Sequence, residues 1–241
     1  MPSEPFTDLA SVYDAIMSDI EYDDWITFIL RTVIERGWKG GRILDLGCGT
    51  GNSTSPIFSR GFEVQGVDAS AAMLAVAQEK LPQVRLFQAD FETFELPDRF
   101  TLVYSVFDSL NNLLAPDAFS AMAARVARHL EPGGMFMFDI NTTVGLRELC
   151  ESGCVEGWVG DVYYRWDHSF DDASGFATVE AFCEKGGHSF VEVHFERPYD
   201  LAEVRELLLA TDFSRVEALT YPTGECASED AARIWVVSTK A

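Results

Sequence analysis

The first part of the chain has a helical hydrophobic period. Leu9, Val12, Tyr13, Ile16 and Met17 fall at helical spacing. After the polar stretch "SDIEYDD" a second helix is predicted from about Trp25, with Ile26, Ile29, Leu30, Val33 and Ile34 on one stripe and Gly37 as its stop. From Arg42 short apolar runs alternate with amphipathic ones. "RILDLG", "FEVQGVD", "VRLFQAD", "FTLVYSVF" and, at the turn of Gly133 and Gly134, "EPGGMFMFDI" read as strands. Between them the pattern predicts helices over 53–60, over "ASAAMLAVAQEKL" with Ser70 as its N-cap and Pro82 just past its end, and over 117–130. Crossovers of this length join parallel strands, so an α/β fold is expected, a parallel sheet with helices on both faces.

The alternation stops after Asn141. "VYYRWDHSFDD", "GFATVEAFCEK" and "HSFVEVHFERPY" are three β-rich stretches separated by turns at 173–175 and at Gly186 and Gly187, so a small antiparallel insertion is expected after the fifth strand. A helix resumes at "DLAEVRELLLATDF", with Asp200 as N-cap, and a hairpin-like pair, "SRVEALTYP" and "RIWVVSTK", follows. The expected organisation is an N-terminal helical lid over 1–39, a main domain over 40–142 and 198–241, and an inserted antiparallel β lid over 143–197.

Charge narrows the range of partners. Among 241 residues, eighteen basic and thirty-nine acidic side chains give a formal charge of −21. Such a surface repels phosphate backbones and anionic lipid, which opposes nucleic acid and membrane surfaces as partners. The start "MPSEPFTDLASVYD" lacks a basic region followed by an apolar one, and no uncharged apolar run is long enough to span a bilayer, so a cytoplasmic location is expected. Five cysteines at irregular spacing fit neither a disulfide framework nor zinc knuckles. Cys150 and Cys154 would face each other if one helical turn held both, but no further ligands stand in register, and no metal is expected.

The chemistry concentrates at "ILDLGCGTGNST". A parallel sheet binds ligands at the carboxyl ends of its strands, and Gly47, Gly49 and Gly51 occupy the first strand-to-helix turn, where glycine permits close approach to backbone N–H groups. The pattern is G-x-G-x-G. Asn52 stands where the dinucleotide fingerprint G-x-G-x-x-G has its third glycine, which argues against a pyrophosphate ligand and a nicotinamide oxidoreductase. Asp68 ends the second strand, where a carboxylate can accept both ribose hydroxyls or merely cap the next helix. Asp90 follows the third strand, placed to accept an adenine amine while Phe91 packs on the ring. Asp108 and Asn111 follow the fourth strand, and Asp45 precedes the turn. Four acidic side chains around one crevice suit a cationic ligand.

Together these features resemble the class I S-adenosylmethionine-dependent methyltransferases, whose D-x-G-x-G-x-G turn is matched by "DLGCGTG" and whose acidic residues after the second and third strands are matched by Asp68 and Asp90. The resemblance implies a Rossmann-like, seven-stranded, mostly parallel sheet with a reversed last strand, and S-adenosylmethionine as methyl donor. It implies cofactor contacts from Asp45, Gly47, Cys48, Gly49, Thr50, Gly51, Asp68, Ala69, Met73, Ala89, Asp90, Phe91, Val106, Asp108 and Asn111. A closer resemblance is to bacterial small-molecule methyltransferases of the YqeM type. It covers "YDAIMSDIEYDDW", "FDSLNNL" and an H-x-x-R-x-Y pattern at His194, Arg197 and Tyr199; where that group often has glutamine, this chain has Glu196.

Methyl transfer from a sulfonium is an in-line displacement, in which positioning alone is worth roughly 7–11 kcal/mol and a general base adds about 10²–10⁴-fold. No signature catalytic side chain is therefore required. Tyr13, His194 and Arg197 are the candidates for catalysis; Asp14, Tyr22, Trp25, Tyr164, Arg165, Trp166 and His168 are further candidates for substrate contact. On "VEVHFERPY" His194 shares the polar face with Glu192 and Glu196, and that face looks either into the cleft or into water. Arg165 and Arg197 could bind a substrate carboxylate or pair with neighbouring acids. His129, ending a helix, is read as a structural charge favourable to the macrodipole. The expected function is methyl transfer to N or O of a small molecule. The alternatives are a non-catalytic S-adenosylmethionine-binding sensor or partner subunit, and RNA methylation, which the charge opposes. The sequence leaves the oligomeric state open.

Overall fold

The computed structural model describes residues 5–241, so the first four residues of the expected 1–39 segment lie outside the described part. A 3₁₀ turn (Leu9–Ser11) and two helices, α1 (Tyr13–Ile16) and α2 (Tyr22–Glu35), lead into an alternating region. That region runs β1 (Ile43–Leu46), α3 (Thr54–Ser59), β2 (Val64–Asp68), α4 (Ala71–Lys80), β3 (Arg85–Gln88), β4 (Phe100–Ser105), α5 (Pro116–His129) and β5 (Leu130–Asn141). Then come α6 (Thr143–Glu151), four strands β6 (Cys154–Val159), β7 (Val162–Asp171), β8 (Phe176–Lys185) and β9 (His188–Glu196), and finally α7 (Leu201–Leu209), β10 (Phe213–Leu219) and β11 (Arg233–Lys240).

Seven strands form one sheet in the order β10-β11-β5-β4-β1-β2-β3. The pairs β1–β2, β1–β4, β2–β3 and β4–β5 are parallel, while β11 runs antiparallel to both β5 and β10. This is the Rossmann-like sheet with one reversed strand implied by the sequence. All of β1 is buried, as a strand covered on both faces must be. One layer packs Phe119, Phe136, Phe138, Tyr199 and Val204 on the side of α5 and α7. The other packs Ile26, Ile29, Ile57, Tyr104 and Trp235 on the side of α2 and α3. The chain order reverses between β1 and β4, so the crevice opens where the glycine turn follows β1 and Val106 to Asp108 follow β4.

The insertion is a separate antiparallel sheet in the order β6-β7-β8-β9. Three of its strands match the expected ones; α6 and β6 were not legible. Only Leu146 of α6 is buried, and β6 is an edge strand with Trp158 68% exposed and Val155 43%, so neither carries a periodic apolar signal. Gly153 (φ +68°) separates them. Cys150 ends in the helix and Cys154 begins the strand, so they do not share a helical turn, and all five cysteines are free. The single helix expected over Leu9 to Met17 is broken at Val12 (φ −125°). Its preceding backbone N–H groups bond instead to Glu192 of β9. Ser70 caps α4 as expected, accepting from Met73 N at 3.2 Å. Asp200 stands at the N-cap of α7, but its carboxylate receives Thr143 N and Thr143 Oγ1, both at 2.9 Å, tying α7 to α6. His129 is buried with Nε2 accepting from Leu96 N at 2.9 Å; a nitrogen that accepts carries no proton, so the ring is not the macrodipole cation expected.

Candidate active site

The turn after β1 is left-handed at Gly47 (φ +80°) and Gly49 (φ +52°). A Cβ at Gly47 would lie 3.0 Å from Phe91 Cζ and 3.2 Å from Ser109 Cβ, whereas one at Gly49 would meet nothing within 4 Å. Gly47 is thus needed for packing beneath the turn, and Gly49 leaves its outer side open to a ligand. Asp68, half-buried at the end of β2, accepts Gly49 N on Oδ2 and Ser70 N on Oδ1, both at 2.8 Å. Burial pushes its carboxyl up, and the N–H groups of Ser70, Gly49 and Ala69 pull it back. Asp90 is exposed just beyond β3, and Ala89 N donates to Asp68 O at 3.0 Å. Thr50 Oγ1 donates to Asp14, which also pairs with Lys80 at 2.6 Å; Lys80 in turn donates to Asn52 at 2.7 Å. Asp14, a candidate for substrate contact, is thereby drawn into bracing the turn.

Asp45 differs from expectation. It is fully buried and does not line the crevice; Oδ2 accepts Ser53 Oγ at 2.7 Å and Thr54 Oγ1 at 2.6 Å, fastening the start of α3 to β1. Burial pushes its carboxyl up to about 6 against the pull of those hydroxyls. Cys48 and Met73 are likewise buried, Cys48 close against Gly66, and burial raises the Cys48 thiol.

Two cavities meet at this point. A crevice of about 40 Å³ follows the glycine turn and is lined by Gly47, Cys48, Gly49, Thr50, Tyr22 and Val106 among others. A second cavity, of about 600 Å³, lies between the sheet, the N-terminal segment and the insertion. Tyr13, Phe107 and Ser109 line both. Burial holds the Tyr13 phenol well above its ordinary value and pushes Tyr22 up to about 12, so both remain hydrogen-bond donors at neutral pH.

Phe107 and Asp108 are left-handed (φ +61° and +47°) without being glycine, a conformation costing about 1–3 kcal/mol per residue that persists only where surroundings enforce it. The enforcing groups are visible. Asp139, buried in β5, accepts Asp108 N at 3.2 Å and Arg233 Nε at 2.6 Å. Arg233 Nη2 lies 3.1 Å from Asp108 Oδ1, and Asn141 Nδ2 donates to Asp108 Oδ2 at 2.6 Å. Asn111 does not face the cleft. It is fully buried, donating to the carbonyls of Asn141 and Arg197 at 2.9 and 2.7 Å and accepting Asn141 N at 2.9 Å, which ties the end of β9 to β5.

Within the H-x-x-R-x-Y pattern only His194 lines the large cavity. The Arg197 guanidinium makes a two-pronged contact with Glu203 at 3.0 and 2.8 Å and lies 4.4 Å over the Tyr199 ring, while Tyr199 donates to the carbonyl of Leu113. His194 is 7% exposed, its ring centroid 4.5 Å from that of Phe6. Neither ring nitrogen has a hydrogen-bond partner among the described residues; the nearest carboxylate oxygen, Glu192 Oε2, is 3.4 Å from Nε2. Phe195, on the other face, is 48% exposed, so the polar row of β9 is the inward one. Glu192 accepts the backbone N–H groups of Phe6, Thr7, Asp8 and Leu9 at 2.7–3.0 Å. Burial opposes its ionisation, but His194 and those N–H groups outweigh it and its carboxyl sits below the ordinary value.

Trp166 and His168 of β7 also line the cavity; Arg165 is exposed and paired with Asp167 at 2.8 Å, and Trp25 packs beneath Arg233, 5.5 Å from its guanidinium. Sequence reasoning did not select Glu196 or Arg233, both of which line the cavity. The alternation of β9 carried a signal for Glu196, two residues beyond His194. Nothing local marks Arg233 on the final strand.

An open glycine turn, a half-buried carboxylate after one strand and an exposed carboxylate after the next fit the sugar and base of an adenosine cofactor. Residues 43–134 match the family described as "Methyltransferase domain". The chain is 33% identical over 208 residues to "Putative methyltransferase YqeM" of Bacillus subtilis, covering 83% of this chain and 82% of that one. A Streptomyces venezuelae protein named dTDP-3-amino-3,4,6-trideoxy-alpha-D-glucopyranose N,N-dimethyltransferase is 29% identical over 191 residues, 78% of this chain and 75% of that one. The crystal structure of an S-adenosylmethionine-dependent methyltransferase from Clostridium acetobutylicum superposes with a TM-score of 0.85 at 25% identity, covering 97% of this chain and 98% of that one. Fold and site define an S-adenosylmethionine-dependent methyltransferase. Within that class the chain belongs to the family that includes YqeM.

Proposed function

We propose that the enzyme transfers a methyl group to N or O of a small-molecule acceptor held in the 600 Å³ cavity. The observation that carries this reading is the junction of the two cavities at Tyr13, Phe107 and Ser109. A donor seated on the glycine turn then presents its methyl group to whatever the larger cavity holds. S-adenosylmethionine supplies a methyl group on a sulfonium. The protein's own residues bind, orient and exclude water.

In this reading Asp68 receives the ribose hydroxyls, Asp90 the adenine amine with Phe91 on the ring, and the Gly47, Gly49 and Gly51 turn gives close backbone approach. Cys48, Thr50, Ala69, Met73, Ala89 and Val106 shape the pocket, while Asp45 and Asn111 act through the elements they fasten. Tyr13 lines the junction itself, and Asp108 adjoins it between Phe107 and Ser109. The N-terminal segment and the inserted sheet act as lids, since Phe6, Leu9, Trp166, His168 and His194 close the acceptor cavity from outside the main sheet. A nitrogen acceptor accords with the name of the Streptomyces venezuelae relative, and a net charge of −21 favours a small molecule over RNA. The test is transfer of labelled methyl groups from S-adenosylmethionine into a fractionated metabolite pool. One or more labelled small products are expected. Tight binding of S-adenosylhomocysteine with no transfer to any fraction would instead support the sensor reading.

A further inference from the structure

Among the described residues three acidic side chains line the acceptor cavity: Asp108, Glu148 and Glu196. Asp108 is satisfied by Asn141 and Arg233, and Glu148 is exposed. Glu196 differs. Its Oε2 is buried and has no hydrogen-bond partner among the described residues. His194, on the same face of β9 and nine-tenths buried, likewise has an Nδ1 without a hydrogen-bond partner, its Nε2 lying 3.4 Å from Glu192 Oε2, and Trp166 Nε1 and His168 Nδ1 also have none. The wall contributed by the insertion is therefore apolar at Val155, Val179 and Ala181 but holds several buried polar atoms without partners, one of them on a carboxylate.

Resting on the methyltransferase reading above, we infer that the acceptor is an amine that enters as its ammonium form, and that Glu196 binds that cation and takes its proton before transfer. The charges facing Glu196 are Asp108 and Arg233, with the Cys150 thiol nearby, and His194 and His168 on the same cavity wall. Arg233 is already shared between Asp139 and Asp108. Among the described residues one guanidinium stands against Asp139, Asp108 and Glu196, so Glu196 ionises only when further positive charge arrives, which an ammonium supplies and an alcohol does not. Burial and the Asp108 carboxylate push the Glu196 carboxyl up to about 8, with Arg233 opposing, close to the range in which an alkylammonium proton can be exchanged with it. Asp108 stands between Phe107 and Ser109, which line both cavities, so the amine lies beside the junction.

R–NH₃⁺ and the Glu196 carboxylate become R–NH₂ and the carboxylic acid. The nitrogen lone pair forms the N–CH₃ bond as the C–S bond breaks, its electron pair staying on sulfur. The product leaves as R–NH₂⁺–CH₃, and Glu196 returns its proton to water.

The test uses the full chain saturated with S-adenosylhomocysteine and two matched probes, cyclohexylamine and cyclohexanol, titrated into wild type and Glu196→Gln. The wild type is expected to bind the amine at least tenfold more tightly than the alcohol. The isosteric Gln variant should lose that preference while holding S-adenosylhomocysteine within twofold of wild type. In carbon-13 carboxyl NMR, with Glu196 assigned by its loss in the variant, the amine, which with no methyl donor present rests as the ammonium–carboxylate pair that precedes proton transfer, should shift Glu196 toward the ionised form at pH 7. Equal or undetectable binding of the two probes by wild type, an amine preference that survives in Glu196→Gln, or an unmoved Glu196 resonance overturns the inference. Failure of S-adenosylhomocysteine to bind wild type overturns the methyltransferase reading itself, which keeps the two outcomes distinct.

Discussion

The backbone N–H of Gly49 donates to Oδ2 of Asp68 at 2.8 Å, joining the turn after β1 to the end of β2. Both partners belong to the proposed cofactor site, so each can be altered separately. Asp68→Ala is expected to weaken S-adenosylhomocysteine by on the order of 10–100-fold, the loss of charge-assisted hydrogen bonds worth about 1.5–3 kcal/mol. Gly49→Val places a branched side chain on the open outer side of the turn in a left-handed conformation, costing about 1–2 kcal/mol of stability and abolishing binding. Calorimetry and thermal melts read the two effects; unchanged affinity in both variants contradicts the assignment.

Glu192 holds the N-terminal segment by four backbone hydrogen bonds. Glu192→Ala leaves those donors without an acceptor, and a loss of about 2–4 kcal/mol is expected in denaturant unfolding. Amide exchange at Thr7, Asp8 and Leu9 should accelerate in the variant. Unchanged protection there would show that the segment is held by other contacts.

Two buried carboxylates have opposite pH signs. Glu192 titrates below its ordinary 4.5 in the folded state, so its stabilisation is present above that pH and is lost as pH falls through the lowered folded value. Asp45 titrates at about 6 against an ordinary 3.8, so the folded state binds the extra proton and stability declines as pH rises from 3.8 to 6. Asp45→Asn should flatten that decline, on the order of 3 kcal/mol between pH 3.5 and 7, when unfolding free energies are compared across pH.

Arg233 pairs with Asp139, which is fully buried, and with Asp108. Arg233→Ala leaves two acids unpaired and should cost about 3–5 kcal/mol. Adding Asp139→Asn should recover part of that loss, giving a non-additive cycle. Strict additivity would show that the two side chains are not energetically coupled.

Much of the sheet was legible because strand and helix periods are local. The glycine turn was legible because glycine at a left-handed position is a local backbone requirement. Which way a side chain faces is not a local property. Asp45 stands two residues before Gly47 but lies in the core on the hydroxyls of Ser53 and Thr54. Arg197 belongs to a recognisable pattern, yet its guanidinium is held by Glu203 and Tyr199. α6 and β6 escaped notice because one buries a single side chain and the other is a largely exposed edge.

By itself the sequence determined the alternation of elements, the glycine turn after β1 and the acidic residues that follow β2 and β3, since each rests on period, backbone conformation or position at a strand end. Only the tertiary structure decided the lining of the large cavity. It turned the polar row of β9 inward by clasping Phe6 to Leu9 onto Glu192, and it brought Arg233 from the last strand to Asp108 and Asp139. These contacts join residues far apart in the chain, and long-range burial and charge pairing leave no periodic trace in the segments that meet.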